Sequence, residues 1–298
     1  MKGKGLKIVV LVAPVHDCLN PIVIEPGGKR IDTSSLRWVM NPYDAFALEE
    51  ALRLRDSLPG SRMRVITMAS EESERVIREC LAVGADEAAR IWEEGMQESD
   101  PYATAYVLAT FLRKQRFDLV LCGSRRADLD HAQVGPAIAE LLDVPQVTSA
   151  REIQLGQAPN RILVRKRVPG FLLKLSCPLP AVITLEKGQP LRYPKCLERR
   201  RASKAGIPTL TLEAIGLTEE SIGASGSITV VERFTPPKPT RRSAMASAVG
   251  TMSAAARLQR IMSGGVQEKK DSKIWECNDK ESVKKVTEHI LKEKLITL

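Results

Sequence analysis

Residues 117–142, FDLVLCGSRRADLDHAQVGPAIAELL, read as a strand, a polar loop and a helix. Leu119, Val120, Leu121 and Cys122 form an apolar run suited to a strand buried on both faces, and Gly123 permits a sharp exit. The chain stays polar through Arg125, Arg126, Asp128, Asp130 and His131 until Ile138, Leu141 and Leu142 return at helical spacing. Pro136 suits the first turn of that helix, where a missing N–H costs nothing. A helix that starts just beyond the carboxyl end of a buried strand presents unpaired N–H groups to the space above it, which makes an anion site. Arg125 and Arg126 would add charge toward a phosphate, and Asp128 or Asp130 would accept from ribose hydroxyls or loop amides. The pattern matches neither GxGxxG nor GxxxxGKS/T. Local chemistry therefore leaves two readings open: a nucleotide site, or an ordinary helix behind a solvated charged loop.

Upstream, residues 6–12 (LKIVVLV) give a first buried strand. Residues 13–40 carry Pro14, Pro21, Pro26, Gly27 and Gly28 between short β-prone pieces and predict an excursion with a small hairpin. Asn41, Pro42 and Asp44 supply a cap, a first-turn proline and an early acid for a helix that runs to about Ser57. Residues 63–69 (MRVITMA) form the next strand, after which Ser70, Glu71 and Glu72 open a helix ending near Gly84. A strand over 88–92 and a helix over 101–116 lead back to the quoted stretch. Strand-then-helix repetition of this length predicts right-handed crossovers and a doubly wound, mostly parallel α/β sheet. Ligands in such sheets sit above the carboxyl ends of the strands. That rim gathers Leu11, Ala13, Asn41, Thr67, Met68 and Ala69 with the loop of Gly123, Arg125, Arg126, Ala127, Asp128, Asp130, His131, Ala132, Gln133, Val134, Gly135 and Pro136.

Residues 149–185 change texture, with RILVRKRV (161–168) and FLLKLSC (171–177) separated by Pro169 and Gly170, and predict antiparallel hairpins extending the sheet. A basic, proline-bearing loop over 187–206 follows, then 207–250 without a sustained period. Short helices are expected over 254–262 and, with Val283, Val286, Ile290 and Leu295 on one side, over 282–295. The domain expectation is a nucleotide-binding α/β domain over 1–205 and a C-terminal arm over 206–298.

The 298 residues are 43% hydrophobic, enough for a proper core, but only 4% aromatic, which argues against stacking platforms for single-stranded nucleic acid. No apolar run is long enough to span a bilayer, and the first residues lack the apolar core of a secretory signal, so a cytoplasmic protein is expected. Six cysteines at 18, 80, 122, 177, 196 and 277 form no CxxC, and the three histidines are scattered, which predicts reduced thiols and no metal site. Charge is uneven: residues 1–150 carry 18 Lys/Arg against 22 Asp/Glu, net −4, whereas 151–298 carry 27 against 14, net +13. The basic half calls for an acidic neighbour. With no recognition motif beside it, the excess points to protein partners rather than nucleic acid.

The order Gly123, Asp128, Asp130, AQVGP (132–136), AELL (139–142) and Pro145-Gln146 resembles the beta subunit of electron transfer flavoproteins. Asn41-Pro42, LEEALRL (48–54), VGADE (83–87), ATAY (103–106) and RYP (192–194) extend the likeness over nearly the whole chain. The resemblance implies an electron carrier rather than a stand-alone enzyme, with no catalytic nucleophile or acid–base pair. It implies a heterodimer whose alpha subunit holds most of one redox-active FAD and is wrapped by the C-terminal arm. The rim site would hold AMP, as in simple members, or a second FAD, as in bifurcating members that accept hydride from NADH. AQVGP followed by IAEL (138–141) resembles the FAD-containing branch. Docking to an acyl-CoA dehydrogenase or related dehydrogenase is implied for Tyr193, Lys195, Cys196, Leu197 and Arg199, the family's anchoring leucine falling at Cys196 with Leu197 beside it. The chain departs from the family with APVHD (13–17) for Lys-Gln-Val-Pro-Asp, Ala69 for Gly, Arg126 for Gln and His131 where Thr is frequent. Two alternatives from other classes are a non-redox adenine-nucleotide-binding protein and a basic scaffold for acidic partners.

Overall fold

A computed structural model describes residues 5–235, apart from positions 18, 20, 21, 29 and 157, together with 253, 281, 283–285, 287 and 288. The chain divides into two compact units, residues 1–235 and 236–298.

The first unit is built on a nine-stranded sheet. In chain order its strands and those of two small satellites are β1 (Lys7–Leu11), β2 (Pro14–His16), β3 (Val23–Ile24), β4 (Ile31–Asp32), β5 (Trp38–Met40), β6 (Arg62–Met68), β7 (Glu87–Ile91), β8 (Leu119–Gly123), β9 (Gln146–Leu155), β10 (Arg161–Val168), β11 (Phe171–Pro178), β12 (Ala181–Leu185) and β13 (Thr209–Leu210). Helices are α1 (Pro42–Ser57), α2 (Glu74–Ala82), α3 (Pro101–Arg113), α4 (Val134–Leu142), α5 (Cys196–Lys204), α6 (Leu212–Ile215) and α7 (Gly223–Gly226). The large sheet runs β11-β10-β9-β12-β8-β1-β6-β7-β13. Its pairs are parallel from β9 to β13 and antiparallel only at β9/β10 and β10/β11. The expected doubly wound α/β architecture with an antiparallel extension is the one present.

Alternate residues of each central strand feed two cores. Ile8, Val10, Met63, Val65, Leu119 and Leu121 pack with Leu48 and Leu52 of α1 and Val76 and Ile77 of α2. On the other face Val9, Leu11, Ile66, Val120 and Cys122 pack with Leu108 and Leu112 of α3 and Ile138 of α4. Burying both faces explains why these strands read as continuous apolar runs, each large side chain contributing about 1.5–3 kcal/mol.

The excursion over 13–40 holds the antiparallel pairs β2/β5 and β3/β4. In the former, the rings of His16 and Trp38 lie 3.9 Å apart.

Three expectations differ from what is observed. The stretch 149–185 was expected to form antiparallel hairpins, and β9, β10 and β11 do, but β12 inserts between β9 and β8 and is parallel to both. All five of its residues are buried, the pattern of an interior parallel strand. The loop over 187–206 contains α5, which lies on α2 through Ala202. The first compact unit also extends past 205 to Thr235. There β13 joins the sheet edge, Leu212, Ile215 and Ile222 enter the second core, and Asp100 accepts from the amides of Ile228 and Thr229.

In the second unit, Glu281, Val283, Lys284, Lys285, Thr287 and Glu288 are helical, with Lys285 paired to Glu281 at 3.1 Å. The remainder of the expected 282–295 helix and all of the expected 254–262 helix lie outside the described residues.

Candidate functional site

Strand order reverses beside β1: β6 lies on one side of it and β8 on the other. The helix after β1, α1, contributes to one core, and the helix after β8, α4, to the opposite one. The two connections therefore diverge, opening a crevice above the carboxyl ends of β1 and β8.

Asn41 and Asp44, at the start of α1, tie both sides of that crevice together. Asn41 was expected to cap its own helix, but its side chain makes no cap bond and is only 1% exposed. Its Nδ2 donates instead to the carbonyl of Arg125 at 2.9 Å, and its Oδ1 accepts from the amide of Ala127 at 3.2 Å. Asp44, 4% exposed, accepts from the amide of Ala13 at 2.7 Å and from that of Gly123 at 2.6 Å. Burial pushes its carboxyl up to about 6 despite the opposing effect of these amide bonds. Gly123 is required by this approach, since a Cβ there would stand 2.5 Å from Asp44 Oδ1 and 2.7 Å from Tyr43 Cβ.

The loop after Gly123 folds on itself. The amide of Arg126 donates to the carbonyl of His131 at 3.1 Å, that of Asp130 to the carbonyl of Arg126 at 3.0 Å, and Asp130 has a φ of +54°. Its two arginines are engaged within the loop. Arg126 grips Asp128 with two bonds of 3.0 and 2.6 Å, and Arg125 pairs with Asp130 at 3.1 Å while lying 5.6 Å from the centre of the Tyr43 ring. The charges that were expected to face a phosphate are thus balanced by neighbouring carboxylates.

Anion-binding capacity rests on the backbone. Gln133 gives α4 no side-chain cap, and the amides of Ala132, Gln133, Val134 and Gly135 have no acceptor among the described residues. Ser124 Oγ and Arg125 Nε are buried without a hydrogen-bond partner among the described residues. Gly135 lets the start of α4 sit directly on β12 and β8, because a Cβ would collide with Thr184. Unpaired donors over a helix start fit a phosphate group.

The other nominated residues are distributed as follows. Ala13 accepts from the amide of Asn41 at 3.1 Å. The side chain of Leu11 lies in the core and that of Met68 packs against it, so the backbone is what these residues bring to the rim. Thr67 is fully buried and its hydroxyl has no partner among the described residues. Ala69 is buried, whereas Ala127, Ala132 and Gln133 are exposed and His131 and Pro136 half-buried.

The residues nominated for docking form a separate surface. Tyr193 is 95% and Leu197 69% exposed, and Lys195, Cys196 and Arg199 are exposed too. This surface is held from beneath. Arg192 bonds Glu49 at 2.9 Å and Asp56 at 2.7 Å, while Arg78 of α2 donates to the carbonyls of Ala202 and Ala205 at 2.6 and 3.1 Å.

Sequence reasoning missed Asp44, Ser124 and the Arg192–Glu49 pair as parts of these sites. The acid in the first turn of α1 was visible, but only as a generic helix-start signal.

A switch point edged by an uncapped helix start belongs to a doubly wound α/β protein, the class in which ligands sit above the carboxyl ends of the strands. The electron transfer flavoprotein domain model matches residues 29–215, and the chain belongs to the electron transfer flavoprotein family. It is 34% identical over 236 residues to the electron transfer flavoprotein subunit beta of Bacillus subtilis, covering 78% of this chain and 89% of that protein. It is 36% identical over 243 residues to the protein FixA of Azotobacter vinelandii, covering 79% and 86%. It is 33% identical over 237 residues to the caffeyl-CoA reductase-Etf complex subunit CarD of Acetobacterium woodii, covering 78% and 88%. No helix among the described residues is long and apolar enough to cross a membrane.

Proposed function

We propose that this chain is the beta subunit of a heterodimeric electron transfer flavoprotein, carrying electrons between dehydrogenases and other acceptors, with an adenine nucleotide in the crevice above β1 and β8. The observation that carries the site is the row of amides from Ala132 to Gly135 at the start of α4 that have no acceptor among the described residues, beside a loop that Asn41 ties to the start of α1. These amides receive phosphate oxygens. Asp128 and Asp130 stand where ribose hydroxyls donate, and release from their own arginines frees them to accept.

The nucleotide we assign is FAD, on the strength of AQVGP followed by IAEL and of the likeness to a reductase–Etf complex subunit. Bound there, a flavin supplies the redox chemistry, with NADH as donor and bifurcation as the associated activity. The chain's own part is to hold, orient and shield it. A second FAD belongs to the alpha subunit, around which the C-terminal arm of 206–298 wraps. Tyr193, Leu197 and Arg199 on the exposed side of α5 and its lead-in meet the client dehydrogenase.

The test is the cofactor content of the co-purified heterodimer, identified by absorbance and mass. Two FAD per heterodimer are expected. One FAD with one AMP excludes FAD in the crevice and bifurcation with it, and a heterodimer without crevice nucleotide rejects the site.

A further inference from the structure

Four hydrogen bonds from one turn of α1 reach backbone on both sides of the crevice. Two come from Asn41, a neutral side chain, and two end on Asp44, whose carboxylate is buried. No lysine or arginine lies within ion-pair distance of Asp44 among the described residues. The groups that face it are the neutral Asn41 side chain, Arg126 from the loop, Cys80 from α2 and Cys122 from β8, and burial pushes both thiols up so that they stay neutral. A helix start needs no such charge, because neutral Asn or Ser caps as well, and an unpaired buried carboxylate costs stability. An ionised carboxyl alone, however, offers an acceptor to both the Ala13 and the Gly123 amide without presenting a donor to either.

We propose that Asp44 is a positioning residue of the crevice: its carboxylate fixes the separation of the β1 and β8 exits and thereby sets how tightly a nucleotide is held. The inference rests on reading the crevice as a nucleotide site. Protonation gives one oxygen a hydrogen that opposes an amide, so one exit loses its acceptor and the crevice loosens.

The experiment uses the full-length heterodimer loaded with radiolabelled AMP or FAD and chased with the same unlabelled nucleotide, from pH 8 to pH 5. Asp44→Asn releases label about tenfold faster than wild type at pH 7.5, the worth of one lost amide bond. The ratio closes toward one by pH 5, because wild type takes up its proton near pH 6. Titration of groups other than Asp44, a phosphate included, affects both proteins alike and cancels in that ratio. Asp44→Glu keeps the charge, and its release still accelerates as pH falls. A ratio that is one throughout, or constant with pH, overturns the proposal. If the asparagine variant does not assemble, wild type decides alone, and a release rate flat from pH 8 to pH 5 overturns it. Wild type that loads neither nucleotide at any pH overturns the crevice reading itself.

Discussion

At Asp44 folding and site geometry pull in opposite directions. Its folded pKa, about 6, lies above the ordinary 3.8, so proton binding favours the fold. That contribution is fully present below pH 3.8 and is lost as pH rises through 6, about 3 kcal/mol in all for a shift of this size. Urea melts should show wild type losing roughly 2–3 kcal/mol relative to Asp44→Asn between pH 4 and pH 7.5. A difference that stays level over that range would contradict the assignment. Gly123→Ala meets Asp44 Oδ1 at 2.5 Å and the Asp44 backbone nitrogen at 2.9 Å. A loss of about 1–3 kcal/mol is expected, read as a lower urea midpoint with unchanged slope. At this scale the sequence was only partly legible. The residue types of the rim could be named, but not that Asn41 would clamp a distant loop or that both loop arginines would turn to Asp128 and Asp130. Such partners are set by tertiary approach, which no local spacing encodes.

Among the elements, those with a strong period were readable: β1, β6 and β8 as apolar runs, α1 and α3 from their proline starts. The helix α5 was not, because CLERRRASK buries only Ala202 and has no apolar stripe. It exists by capture. Arg78 places a cation on the carbonyls at its end, and Glu74 in turn holds Arg78 at 2.6 Å. Arg78→Ala should raise hydrogen exchange across 199–206 and cost about 1–2 kcal/mol. Exchange in β1 and β8 should stay as in wild type, and a global rise would show that α5 is not a separate unit. β12 was misread for a different reason: a five-residue apolar strand after two alternating ones carries no sign of its direction, which the chain's return across the sheet decides.

For the whole molecule, composition marked a change near 205, whereas the compact unit continues to Thr235. The residues between lack a period because they are a strap of isolated anchors. Leu212, Ile215 and Ile222 are buried singly, Asp100 holds the backbone at 228 and 229, and the amide of Phe234 donates to Gly28 at 2.6 Å. A chain ending after Thr235 should therefore keep the cooperative melt of the first unit, while one ending after Ala205 exposes β7 and α3 and melts at lower temperature. On the proposed function the longer truncation should still lose the alpha subunit in size-exclusion chromatography.

The ion pairs of Arg192 give α1 a mechanical meaning. Glu49 and Asp56 anchor the segment leading to the exposed surface onto a helix whose opposite tip is fastened to the strand exits. From Asp44 to Asp56 that rod is about 18 Å long at 1.5 Å per residue, and a packed helix transmits displacement without bending much. On the proposed function, a client that tugs on Tyr193 while binding would pull the same lever that braces the strand exits at its far end.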